Sequence, residues 1–260
     1  MDIRKTTAPE LMDDPEESLR DLHGSLRDLE RINRLLGGHV FVRRYLDRVL
    51  PVSRRRASPI PRALTVLDVG TGGGDVPAAV AGWGRHRGVP VRIVGVDRHP
   101  GIARFAAAAQ GAPAAAAQGA HALASQGAQA AASLARPSIM VIQADARSLP
   151  FREASFDVCL CNLVLHHLTR DEGIALLRRL HGLARLGFLV VDLLRSPGGY
   201  GGVWLLTRAF RNRLIRHDGP LSVRRAMSWP EYREFAQEAG VPGITLVRLP
   251  LFRVALYRIG

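Results

Sequence analysis

The chain has 260 residues, 47% of them hydrophobic, which suffices for one packed α/β domain with a modest extension. No apolar run approaches the roughly 18 residues of a membrane span, and the opening MDIRKTTAPELMDDPEE is acidic where a secretion signal is basic and then apolar, so a cytoplasmic protein is expected. The formal net charge of +13 invites a polyanion partner, but arginine supplies 35 of the 36 basic residues, Lys5 being the only lysine, and that bias weakens the case for nucleic acid.

Asp14-Pro15 followed by Glu16 and Glu17 suits a helix start. Leu19, Leu22, Leu26, Leu29, Ile32 and Leu36 then recur at helical spacing until Gly37-Gly38. A short helix over Val40 to Leu50 and a Pro/Arg/Ser linker over Pro51 to Arg62 follow, so residues 1–62 are expected as a helical cap ahead of a domain over 63–260. LTVLDVGTGGGD, Leu64 to Asp75, is a buried strand, a glycine turn and a helix start, the helix reaching Arg87. A second strand, Val91 to Val96, closes on Asp97, 23 residues past Gly74, near the spacing at which a strand-end acid reaches ribose hydroxyls.

Residues 106–136 are almost all Ala, Gln, Gly and Ser, with Gln-Gly-Ala recurring at Gln110, Gln118 and Gln126: a low-complexity insertion with too few large apolar groups to pack, expected to touch no motif. Strands over Ile139–Gln143, Phe156–Cys161 and Gly187–Val191, with a helix over Asp171–Arg185, continue the alternation of a parallel sheet. Cys159 and Cys161, two apart on one strand, are expected as buried free thiols. Residues 194–228 form an insert near the carboxyl edge of the sheet. A helix from Ser228 to Ala239 and two strands, Ile244–Leu249 and Leu251–Tyr257, end the chain.

The order of the glycines separates two ligands. A dinucleotide turn needs G-x-G-x-x-G, whereas here Gly70, Gly72 and Gly74 alternate and Asp75 stands where the last small residue would fall. Asp68 would repel a pyrophosphate and suits a cation. With Asp97, the succession D-A-x-x-L-P-F from Asp145, S-F-D-V-x-L-C-N to Asn162 and H-H-L to Leu168 resembles the class I S-adenosylmethionine-dependent methyltransferases, in particular the small-molecule enzymes of the ubiquinone and menaquinone biosynthesis type. The resemblance covers about residues 60 to 195. It implies a Rossmann-like seven-stranded, mostly parallel sheet with an antiparallel last strand, plus the N-terminal helical cap. It also implies S-adenosylmethionine as cofactor, held by Asp68, Gly70, Thr71, Gly72 and Gly74 at its methionine end. Asp97 and Arg98 would meet the ribose, Asp145 and Ala146 the adenine, and Asn162 and Leu163 the sulfonium.

For the acceptor, the absence of proline in Cys161-Asn162-Leu163-Val164 argues against exocyclic base methylation. A small, fairly apolar phenol- or quinol-like molecule, methylated on oxygen or carbon, fits better; an RNA methyltransferase or a non-catalytic cofactor-binding subunit are the alternatives. His166 and His167 are candidate general bases. In the insert, Gly219-Pro220 is expected as a turn presenting His217 with Asp218 as a second base pair, while Arg224 and Arg225, beside Arg216, hold an anionic oxygen. No metal site is expected, and the oligomeric state is left open.

Overall fold

Alternating apolar residues on the strands let both faces of one sheet be buried, and the fold follows from that. The computed structural model describes residues 3–14, 16–56, 63–111, 114–116 and 138–260. Its strands are β1 (Leu64–Val69), β2 (Val91–Asp97), β3 (Ala114–Ala116), β4 (Ser138–Gln143), β5 (Phe156–Asn162), β6 (Ala184–Leu193), β7 (Thr245–Leu249) and β8 (Arg253–Ile259). Their order is β3-β4-β2-β1-β5-β6-β8-β7; all pairs are parallel as far as β6, and β8 runs antiparallel to β6 and to β7. The expected seven strands are joined by the three-residue β3, inside the tract expected as a low-complexity insertion.

The helices are α1 (Leu19–Leu35), α2 (Gly38–Arg56), α3 (Asp75–Arg87), α4 (Pro100–Ala109), α5 (Arg170–Leu183), α6 (Pro197–Arg208), α7 (Arg213–Arg225) and α8 (Trp229–Ala239). Val66, Val158, Leu160 and Leu189 face α2 and α3, burying Val42, Tyr45, Leu46 and Val49 of α2 with them. Their neighbours Leu67, Cys159, Cys161, Phe188 and Val190 face α5 and α8 on the other side. Both cysteines are buried and free. Thus α2 belongs to the layer that covers the sheet, while α1 reaches over its carboxyl edge.

Four boundaries differ from the sequence expectation. The cap of α1 is Ser18, whose hydroxyl accepts from Asp21 N, and Asp14 instead accepts from Glu16 N; Pro15 lies outside the described residues. Helix α2 continues through Pro51 to Arg56, so the linker shrinks to residues that lie outside those described. Most of the 106–136 tract also lies outside them, but Gln110 donates from Nε2 to the carbonyl of Gly74 at 3.1 Å, so the tract does touch the glycine turn. Finally, Gly219-Pro220 is not a turn. Asn212 caps α7 and Leu214, Ile215, Leu221 and Val223 bury one side of it, so the helix runs on; the carbonyl that loses its partner at Pro220 belongs to exposed Arg216.

Gly187 sits where the β5–β6 register slips, with φ of 147°. A Cβ there would overlap the Arg258 carbonyl oxygen, which also accepts the Tyr45 hydroxyl. Gly187→Ala should therefore cost about 2–4 kcal/mol, read as a lower urea midpoint; an unchanged midpoint would show that the β6–β8 pair yields freely.

Candidate functional site

The parallel strands β1, β2, β4, β5 and β6 all point their carboxyl ends at one edge, and the chain switches direction between β1 and β5, where open α/β sheets bind ligands. At that point β1 ends on Gly70, φ 73°, whose missing side chain leaves room for Val164 Cγ2. The N–H groups of Gly70 and Thr71 donate to Val96 O, so the turn is tied to β2. Asp97 strengthens the tie: Oδ2 accepts from Gly72 N at 3.1 Å and Oδ1 from His99 N at 3.0 Å. Burial raises its carboxyl above the usual value against these bonds.

Beneath the turn, Asp68 is buried and accepts the Thr71 hydroxyl at 2.8 Å through Oδ2, while Oδ1 has no hydrogen-bond partner among the described residues. Burial, outweighing that bond, pushes Asp68 up to about 8. Asn162, last in β5, likewise holds a buried Oδ1 with no partner. Leu163 follows with φ of 58°, its N–H fixed on Val191 O.

A cavity of about 640 Å³ opens over this edge. Its floor is the turn, Asp97, Asn162 and Leu163; its walls come from α1, α6 and α7 and from the strap Ile3–Asp14. The strap is pinned by Asp218, whose two carboxylate oxygens accept from Leu11 N at 2.9 Å and Met12 N at 3.0 Å. Arg195 and Arg225 donate to its carbonyls at Ile3 and Ala8. So held, Glu10 and Asp13 enter the cavity wall beside His166 and His167.

Each imidazole is oriented by a carboxylate. His166 Nδ1 lies 2.7 Å from Asp192 Oδ1, and His167 Nδ1 lies 3.2 Å from Asp13 Oδ2. Burial opposes the charge of Asp192, but His166 and the N–H groups of His166 and Leu193 outweigh it and hold the carboxyl below its ordinary value. On the opposite side the two Nε2 atoms face Glu10, at 3.7 Å and 3.8 Å.

Of the residues singled out in sequence, Gly70, Thr71, Gly72, Asp97, Arg98, Asp145, Ala146, Asn162, Leu163, His166, His167 and Asp218 line the cavity. Asp68 lies under the turn, and Gly74 starts α3 beside Gln110. Asp145 is paired with Arg147 at 2.5 Å, and Arg98 with Asp13 at 2.7 Å. Three expectations for the insert are corrected. His217 is 52% exposed and outside the cavity wall, although its Nδ1 meets Asp218 Oδ1 at 2.8 Å, because a helix turns adjacent residues apart. Arg224 donates to Arg4 O, and Arg225 to the carbonyls of His166 and His167, so neither faces an acceptor.

Residues not foreseen include Glu10, Asp13, Asn33 and Arg253. Arg253, first in β8, is buried in the cavity wall; Nη2 donates to Asn33 Oδ1 at 3.0 Å, and Nε and Nη1 have no partner among the described residues. Its only sequence signal is a charge at the start of an apolar strand, and Glu10 carried no signal beyond an acidic opening.

This sheet order, with the switch-point turn and a strand-end acid on each of β1 and β2, defines a class I methyltransferase fold. Residues 67–191 match the family model described as a methyltransferase domain, and the protein is a methyltransferase. Human N-acetylserotonin methyltransferase, solved with S-adenosylmethionine, is similar over 99% of this chain and 63% of that one, at 16% identity and a TM-score of 0.54. A methyltransferase dependent on the same cofactor from Aquifex aeolicus is similar over 90% of this chain and 96% of that one, at 16% identity and a TM-score of 0.51. At these identities the likeness is one of fold. No curated protein sequence matches the chain significantly. No helix among the described residues is long and apolar enough to cross a membrane.

Because Asp218 carries the strap on two charge-assisted bonds, Asp218→Ala should lower stability by about 2 kcal/mol and speed protease cleavage within residues 3–14. Unchanged cleavage would show that the arginine contacts alone hold the strap.

Proposed function

We propose that this methyltransferase acts on a hydroxyl oxygen of a small, largely apolar acceptor of phenol or quinol type. The observation that carries the proposal is the composition of the wall. Leu29 and Ile32 of α1 and Leu36 at its C-cap, with Val203, Leu206 and Ile215 of α6 and α7, enclose a space whose polar corner is Glu10, His166 and His167. An apolar ring suits such walls, and a hydroxyl bearing a proton seeks the corner.

The groups left without partners suit the two ends of an amino-acid ligand. Among the described residues, Asp68 Oδ1 and Asn162 Oδ1 are acceptors lacking a donor, and Arg253 Nε and Nη1 are donors lacking an acceptor. An ammonium would complete the first set and a carboxylate the second. Asp97 would take the ribose hydroxyls and Asp145 with Ala146 the adenine, leaving the sulfonium beside Asn162 and Leu163. When bound, the cofactor supplies an electrophilic methyl group. The chain's own part is to hold the acceptor oxygen in line and dry, worth several kcal/mol, and to remove its proton at the corner. There Asp192 and Asp13 fix the imidazoles.

Incubation with methyl-labelled cofactor and a fractionated extract should place label in the organic-soluble pool. Label confined to the RNA pool, or none transferred by protein that binds cofactor, would overturn this assignment.

The raised Asp68 gives a second test. A carboxyl at about 8 is protonated in the free protein at neutral pH, so its contribution to stability is full in acid and fades as pH rises toward that value. A cationic ligand favours the charged form and expels the proton. Cofactor affinity should therefore climb from about pH 6.5 to about pH 8.5 and level off, with proton release visible by calorimetry in paired buffers. Asp68→Asn should flatten the climb; an unaltered slope would assign the coupling to another group.

A further inference from the structure

We infer that Glu10, His166 and His167 form a divalent-cation site of the His₂Glu type, with its open position facing the acceptor. The inference rests on the acceptor pocket proposed above and deepens it.

The geometry contains a conflict that a cation resolves. Carboxylate oxygens only accept, so the contacts from Asp192 to His166 Nδ1 and from Asp13 to His167 Nδ1 place the hydrogen of each neutral ring on Nδ1. Taken as neutral rings, both Nε2 atoms present lone pairs to another acceptor, the Glu10 carboxylate, beside which Arg225 Nε lies at 4.0 Å. Separations of 3.7 Å and 3.8 Å exceed a hydrogen bond, so no proton is shared across either gap. Three donor atoms converging within 4.8 Å of one another make the ligand set of a cation instead. Metal–nitrogen and metal–oxygen bonds of about 2.0–2.2 Å would draw atoms now within 4.8 Å of one another to roughly 3.4 Å apart.

The surroundings fit that role. Histidine ligands characteristically donate their second nitrogen to a carboxylate, and here both do. Glu10 is itself held by the Ser222 hydroxyl on Oε1 at 2.8 Å, which orients the carboxylate without occupying Oε2. Glu10 and His166 are buried and His167 is partly exposed toward the cavity. Three protein ligands with a fourth position open to a pocket is the arrangement of a catalytic zinc centre rather than a structural one.

With the ion bound, the imidazoles act as its ligands and not as bases: an acceptor hydroxyl would bind at the open position through oxygen and lose its proton to solvent as it enters, more readily than in free solution. The oxygen would then form its bond to the methyl carbon as the sulfur–methyl bond breaks and its electron pair returns to sulfur. The sequence conceals the site because the ligands lie at positions 10 and 166–167, joined only when Asp218 pins the strap.

Chelator-treated full-length protein should take up one Co²⁺ per chain with the visible bands of a four- or five-coordinate ion, and Zn²⁺ should bleach them. Glu10→Gln and His167→Ala should each weaken uptake roughly tenfold or more while cofactor affinity is kept, and the surface variant His217→Ala should bind as wild type. Uptake unaffected by either of the first two variants, or no bands in protein that still binds cofactor, would overturn the inference. Cobalt bound at these residues by protein that transfers no methyl group would instead uphold the site and overturn the acceptor proposal.

Discussion

Asp97 is the fastening on which the edge of the sheet depends. One carboxylate takes an N–H from the glycine turn after β1 and another from the residue that caps α4, so a single side chain sets two loops against the end of β2. The turn can accept this because its glycines carry no side chain to move aside: a Cβ on Gly70 would strike Val164, from the loop after β5. Backbone groups thus converge from three neighbouring parallel strands at the switch point and form the floor of the cavity.

The far wall is built differently. It comes from a strap with little secondary structure, and its side chains reach the cavity because Asp218, Arg195 and Arg225 occupy its backbone groups. The short 3₁₀ turn after β5 supplies His166 and His167, β6 supplies Asp192, and the strap supplies Glu10 and Asp13. The cavity wall is therefore shared between a turn tied to the sheet through Asp192 and a strap held by a few polar contacts.

What was legible in sequence follows the same division. Strand, turn and helix over residues 64–87, the strand-end acids and the buried cysteines were readable because local periodicity and glycine spacing encode them. The residues reaching the cavity from a distance were not. Glu10 is 156 positions from His166, and Arg253 is 220 from its partner Asn33. Gly219-Pro220 misled for a related reason: turn chemistry is a local preference, and the apolar face of α7, packed against α1 and α6, overrode it. The low-complexity tract misled in the other direction, since Gln110 found a carbonyl in the glycine turn that composition could not foretell.

The excess of arginine has a structural use that bears on partners. Arg178 bridges the carbonyls of Ala239 and Glu238, Arg179 those of Leu149 and Phe151, and Arg225 those of Ala8, His166 and His167. Arg195 joins Ala226, Ile3 and Glu231. A planar fork with several N–H groups can hold two or three acceptors from different segments at once, which a lysine ammonium does less well. Such clips tie loops to helices around the carboxyl edge, and their donors are already engaged within the chain. Formal charge therefore overstates how much cationic surface is offered to a polyanion. Arg253 differs from these clips: it is buried, it keeps two nitrogens without partners among the described residues, and it faces the cavity rather than solvent. Burial costs that guanidinium hydration, and the charges of Asp192 and Asp75 offset part of the cost, so Arg253 is held by carboxylates of the chain where the clips are held by carbonyls.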